Sequence, residues 1–169
     1  EDLGYQRTWE TRTWGAEVFP GSSLPNAMVQ VSPVTMYRSG AGYQYEDSLI
    51  LGFLFFFKGH WNLLHVPLLP VTTEKVNPYD FASSYSHDDE SACPGYYQVY
   101  LQRYGIDVEL TSTLRCAYHR YTFEEGGPQR LLADLTRANN RVYSCDITRC
   151  DDHSFSGHQF ASDGRVYFY

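Results

Sequence analysis

The sequence predicts an all-β fold, an antiparallel β-sandwich in a single domain. Two observations carry this. Apolar and polar residues alternate through three successive runs between Tyr96 and Phe123, separated by short turns. Elsewhere short strand-like runs are cut at frequent intervals by Gly, Pro, Asn and Asp, and no long segment shows a helical 3.6-residue period or a capping box leading into one.

The central runs are the best defined. Val99 and Leu101 face one way, and Gln98, Tyr100 and Gln102 the other. After Arg103-Tyr104-Gly105, the residues Ile106, Val108 and Leu110 alternate with Asp107, Glu109 and Thr111, and a third run extends from Leu114 to Phe123. One face is therefore buried and one wet, as in a β-meander. A polar loop, Ser83 to Ser91, and a turn at Cys93-Pro94-Gly95 lead into it.

Upstream, residues 1–18 read as an irregular arm and 19–169 as the domain. Met28–Val31 predicts a short strand stopped by Pro33, and the apolar run Leu49–Phe57 a buried strand. Leu63–Val71 holds Pro67 and Pro70, so at best it forms an edge strand. Downstream, Leu131–Leu135 and Val142–Ile147 predict strands. Ser156–Phe160 and Arg165–Tyr169 flank Asp163-Gly164, a strong hairpin signal. The chain stops inside that last strand and begins at Glu1 rather than Met, so we expect a mature form or an excised piece, with more protein following.

The 169 residues suffice for one core, and 17% aromatic residues with 20% charged ones exclude a disordered chain. A net charge of −7 without a Lys/Arg cluster argues against nucleic acid. Leu49–Phe57 is too short for a membrane helix. Cys93, Cys116, Cys145 and Cys150 permit disulfides in three connectivities, or reduced thiols; their spacing fits no zinc pattern.

Lys58-Gly59-His60-Trp61-Asn62 has the composition of a carbohydrate contact. Trp61 offers a flat apolar face for a sugar ring, and Lys58, His60 and Asn62 offer groups that bond hydroxyls. A Trp packed beneath a long connection explains the same residues. Ser86–Glu90 places carboxylates in one loop, as calcium sites do, but without the spacing of an EF-hand; a solvated cap on the meander fits equally. His119 shares a strand face with Tyr121 and Phe123 and reads as structural. Cys145 and Cys150 fit a local bridge or two unrelated thiols.

Several stretches together resemble the N-terminal domain of glycoside hydrolase family 92, the calcium-dependent α-mannosidases. They are Phe19–Pro25 with Met28–Pro33, Gly42–Asp47 through Gly52-Phe53, and Ser86–Glu90 with Pro94–Tyr97. Val108–Thr111, His119–Phe123, Gly157 and the closing Val166–Tyr169 complete the set. The chain departs from the family pattern at Asn26-Ala27 and at Leu54–Phe57, where apolar side chains stand in place of usual polar ones.

The resemblance implies a supersandwich-like β domain packed on a helical (α/α)6 catalytic domain outside this chain. It implies a secreted or periplasmic enzyme that hydrolyses terminal α-mannose of glycans with inversion. Inversion needs an acid and a base roughly 6.5–9.5 Å apart, and the resemblance puts both, with most calcium contacts, in the helical domain. It adds Tyr43 and His87 to Lys58, His60, Trp61 and Asn62 as expected substrate-binding residues, with a supporting role for His87 or Glu90. No catalytic residue or metal ligand is assigned to this chain. A stand-alone lectin-like module and a structural docking domain are the rival readings.

Overall fold

The computed structural model describes residues 19–54, 57–58, 61–62, 64–124 and 126–169, with the backbone alone at 57–58 and 61–62. The expected arm, residues 1–18, lies outside them. In chain order the strands are β1 (Ser22–Ser23), β2 (Gln30–Val34), β3 (Leu49–Ile50), β4 (Gly52–Leu54), β5 (Phe57–Lys58) and β6 (Trp61–Asn62). Then follow β7 (Leu68–Val71), β8 (Ser83–Ser84), β9 (Glu90–Cys93), β10 (Tyr96–Leu101), β11 (Ile106–Ser112) and β12 (Ala117–Phe123). The last are β13 (Arg130–Ala133), β14 (Val142–Cys150), β15 (Phe155–Ala161) and β16 (Gly164–Phe168). Among the described residues the one helical segment is a single 3-10 turn at His87–Asp89, and no helix is long and apolar enough to cross a membrane.

The alternating runs form the expected meander. β10 pairs with β11 from Tyr96↔Thr111 to Leu101↔Ile106, and β11 pairs with β12 from Ile106↔Phe123 to Ser112↔Ala117. β9 adds to the far side of β10. Tyr97, Val99, Leu101, Ile106, Val108 and Leu110 are all buried on one face. The other face is a polar lattice in which Tyr96 donates to Glu109 and Arg120 forks onto the same carboxylate.

A second sheet, in the order β1-β2-β4-β7-β13, covers the buried face of the meander. Val31, Phe53, Leu69 and Val71 pack with the meander's inward residues in one apolar cluster, which closes the sandwich. The opposite face of this sheet is covered too. Val34 and Leu54, an odd number of residues from Val31 and Phe53 and so on the other face, pack with Leu64 in a smaller cluster. Burial on both faces explains why β4 is apolar throughout. At its edge, a Cβ on Gly21 would stand 1.8 Å from the Val31 carbonyl oxygen, so only glycine fits the Phe19-Pro20-Gly21 turn.

Three strand readings need correction. Leu49–Phe57 is not one strand. Leu49 and Ile50 pair with β8 in a separate ribbon, whereas Gly52–Leu54 join the five-stranded sheet. The run crosses between sheets at Leu51, whose N–H reaches the Val34 carbonyl at 2.7 Å. β2 is not stopped by Pro33, because Pro33 pairs with Phe53 inside the strand. β7 lies within its sheet rather than at the edge, between β4 and β13, with Pro70 opposite Leu131.

A third sheet, β14-β15-β16, follows. Its second hairpin is the expected one but turns at Ser162-Asp163, one residue before the expected Asp163-Gly164, with Ala161 opposite Gly164. Gln159 and Ala161 are fully buried against the rest of the domain, while most of β14 is exposed. All four cysteines are free thiols. Cys145 and Cys150 lie along one strand, roughly 16 Å apart, more than twice the span a disulfide allows.

Candidate functional site

The polar loop before the meander builds a buried nest around Glu90. Ser86 caps the 3-10 turn by accepting from the Asp88 N–H. That turn places His87 and Glu90 side by side. His87 Nδ1 lies 2.6 Å from Glu90 Oε2, and Nε2 lies 2.7 Å from the Tyr45 carbonyl oxygen. Tyr97, from the core face of β10, donates to Glu90 Oε1 at 2.6 Å, and Tyr43 donates at 3.1 Å. The ring of Tyr45 stacks on His87 with centroids 3.9 Å apart, and Tyr85 meets it edge-on at 5.3 Å.

The Glu90 side chain is 0% exposed, that of His87 34%. Burial raises the pKa of Glu90, and the bonds from Tyr97 and His87 pull against that rise. Burial and then the neighbouring carboxylate push the phenols of Tyr43 and Tyr97 far up, so both remain donors at any ordinary pH. Donor counting fixes one more feature. The Tyr45 carbonyl can only accept, so His87 Nε2 carries a proton, and the short contact at Nδ1 needs a second proton held between His87 and Glu90. The nest is therefore a proton-bearing support in which both Glu90 oxygens and both His87 nitrogens are bonded, with one His edge at the surface. It lacks a solvent-facing acid or base.

The structure thus brings two of the expected substrate-binding residues, Tyr43 and His87, to one place. Glu90, expected as a supporting residue, is its hub. Tyr97, Tyr45 and Tyr85 escaped the sequence reading. The signal for Tyr97 was a tyrosine at an inward meander position, where a hydroxyl needs a partner. Lys58, Trp61 and Asn62 lie on the β5–β6 hairpin, with Phe57 opposite Asn62 and Lys58 opposite Trp61. Their side chains, and all of His60, lie outside the described residues. His119 faces inward, with Nδ1 2.8 Å from the Tyr121 hydroxyl, and burial pushes its pKa down to about 4.

Calcium finds no matching donor set in this part of the chain. The ion takes six to eight oxygens. Both Glu90 oxygens are already bonded, and among the described residues no group of three or more His, Cys, Asp or Glu is placed to hold a metal.

The model of the family described as "Glycosyl hydrolase family 92 N-terminal domain" matches residues 8–169. That span begins inside the segment read as an arm. Among solved structures the chain is similar to the family GH92 alpha-mannosidase BT3965 from Bacteroides thetaiotaomicron, with 28% identity and a TM-score of 0.77. The match covers 89% of this chain and 23% of that one. It is similar to the GH92 family glycosyl hydrolase ccman5 with 27% identity and a TM-score of 0.67, over 89% of this chain and 22% of that one. It is also similar to the family GH92 inverting mannosidase BT2199 from Bacteroides thetaiotaomicron, with 25% identity and a TM-score of 0.64, over 84% of this chain and 19% of that one. The chain therefore spans less than a quarter of the length of these solved proteins. A comparison with curated proteins finds no match.

Proposed function

Because the chain belongs to the family of glycosyl hydrolase family 92 N-terminal domains, we propose that it is the substrate-binding β-sandwich of an exo-acting α-mannosidase. The whole enzyme would release terminal α-mannose from glycans with inversion, in a secreted or periplasmic setting. The observation that carries this reading is the family match across 162 of 169 residues, supported by the likeness to solved α-mannosidases. In this reading the acid, the base and the calcium ligands belong to a helical domain outside this chain; Glu90, Glu109 and Asp80 are held in structural bonds here.

In this reading the β5–β6 hairpin forms one wall of the sugar pocket. Trp61 supplies a stacking face, and Lys58, His60 and Asn62 bond hydroxyls. His87 and Tyr43 act in this reading through Glu90, because both ring nitrogens of His87 are already bonded. The test is Trp61→Ala in the full-length enzyme. Mannoside affinity should fall by about 1–3 kcal/mol, with a smaller change in the denaturation midpoint. A variant that binds normally but melts early would end the case for this hairpin as a sugar site.

A further inference from the structure

A second buried polar centre lies in the segment just after the β5–β6 hairpin. His65 is 2% exposed and Gln159 0%. The Nδ1 atom of His65 lies 2.6 Å from Gln159 Oε1, and Nε2 lies 3.1 Å from Asp163 Oδ2. These contacts join positions 94 and 98 residues apart in the chain. They tie the connection between β6 and β7 to the β15–β16 hairpin.

The protons of this centre can be counted. Gln159 Nε2 donates to the carbonyls of Leu135 at 2.8 Å and Arg137 at 3.1 Å. Both amide hydrogens are thereby used, so Oε1 must accept and His65 Nδ1 must carry a proton. At the other side of the ring, a bare Nε2 and a bare carboxylate oxygen cannot face each other at bonding distance. One further proton is therefore held between His65 and Asp163.

The backbone carries an independent mark. Leu64 and Val66, the two neighbours of His65, have φ of 52° and 49°. A β-branched or bulky residue adopts this left-handed region only when its surroundings force it. Those surroundings are visible. Leu64 is sealed in the cluster with Val34 and Leu54, and the Pro67 carbonyl accepts the Asp134 N–H at 3.0 Å. The strained pair turns the imidazole inward between Gln159 and Asp163.

We propose that His65 is a positioning residue, a proton-bearing clasp that locks the segment leading out of the β5–β6 hairpin to the β15–β16 turn. The inference deepens the function proposed above, since that hairpin carries the expected sugar contacts.

The test is hydrogen exchange of the 169-residue chain with His65→Ala, His65→Asn and Asp163→Asn, with ring-nitrogen NMR of the parent. Nδ1 should carry a slowly exchanging proton. In His65→Ala, amides of β5–β6 and of β15–β16 should exchange at least tenfold faster together, while those from Tyr97 to Leu110 stay protected. The amide of His65→Asn can stand where Nδ1 stood, so this variant should recover part of the protection. Asp163→Asn, which leaves the buried Gln159 bond intact, should loosen both hairpins less. An unprotonated Nδ1 overturns the clasp. So does loosening of only one hairpin by His65→Ala. Should His65→Ala fail to fold, unchanged exchange in both hairpins of Asp163→Asn overturns it equally. Mannoside binding is not read here, so the clasp stands or falls independently of what Trp61→Ala shows for the sugar site.

Discussion

Glu90 is a carboxyl group removed from water, and its hydrogen bonds offset part of that desolvation. Removing one donor leaves more of it uncompensated. Tyr97→Phe, which keeps the ring and deletes the shortest phenol bond, should cost about 1.5–3 kcal/mol in a urea titration. His119 gives a prediction about pH. The unfolded chain takes up its proton near 6.5, whereas burial lowers the folded pKa to about 4. Between these values the unfolded state holds more protons, so stability is full above about 6.5 and falls as pH drops toward 4. The loss is on the order of 1–3 kcal/mol, and His119→Gln should flatten that part of a stability–pH curve. At this scale the sequence marked His87 and Glu90 by their place in a polar loop. It did not show their union, which depends on a 3-10 turn and on tyrosines that arrive from Tyr43 and Tyr97. The His65 centre was invisible, because its partners lie nearly a hundred residues away.

Among the elements, the meander was legible and the strands around it were less so. Alternation from Tyr96 onward reports a sheet with one wet face, the case in which a period of two is visible. Leu49–Phe57 has no period, since its residues serve three sheets and β4 is covered on both sides. The prolines misled for a related reason. By the register of their sheet, Pro33 lies beyond the start of β1 and Pro70 beyond the start of β4. A missing N–H costs little where the neighbouring strand has already ended. Gly157 tests the third sheet. A Cβ there would meet the Asp146 carbonyl at 2.1 Å and Phe168 Cζ at 2.7 Å. Gly157→Ala should force β14 and β16 away from β15 and cost about 1–3 kcal/mol, read as a lower thermal midpoint.

For the molecule as a whole, the sandwich was predictable because turn spacing and alternation agree on it. Which surface would meet a glycan in the proposed function was not, since Trp and His residues in a loop read alike whether they bind or merely pack. The division of labour proposed for the enzyme makes a further forecast. Glu109 is held by Arg120, Asp80 by Arg103 and Glu90 by its phenols, so no solvent-facing pair among them is free to act as acid and base. The purified 169-residue chain should release no mannose from α-mannosides. Release that disappears when a carboxylate of this chain is mutated would show the proposal wrong.

The pairing of β7 with β13 has a consequence for the order of assembly. Val71 lies opposite Arg130, and the whole meander is strung between them. Closing a flexible loop of about sixty residues in one step costs roughly 3–4 kcal/mol of chain entropy, beyond a constant term. If the meander zips first through its short turns, its ends draw together and the loop left to close is far shorter. Folding is then a nested sequence in which the local hairpins form early and β13 docks late. Deepening the core at Val99 or Val108 should speed folding, whereas weakening β13 should chiefly speed unfolding.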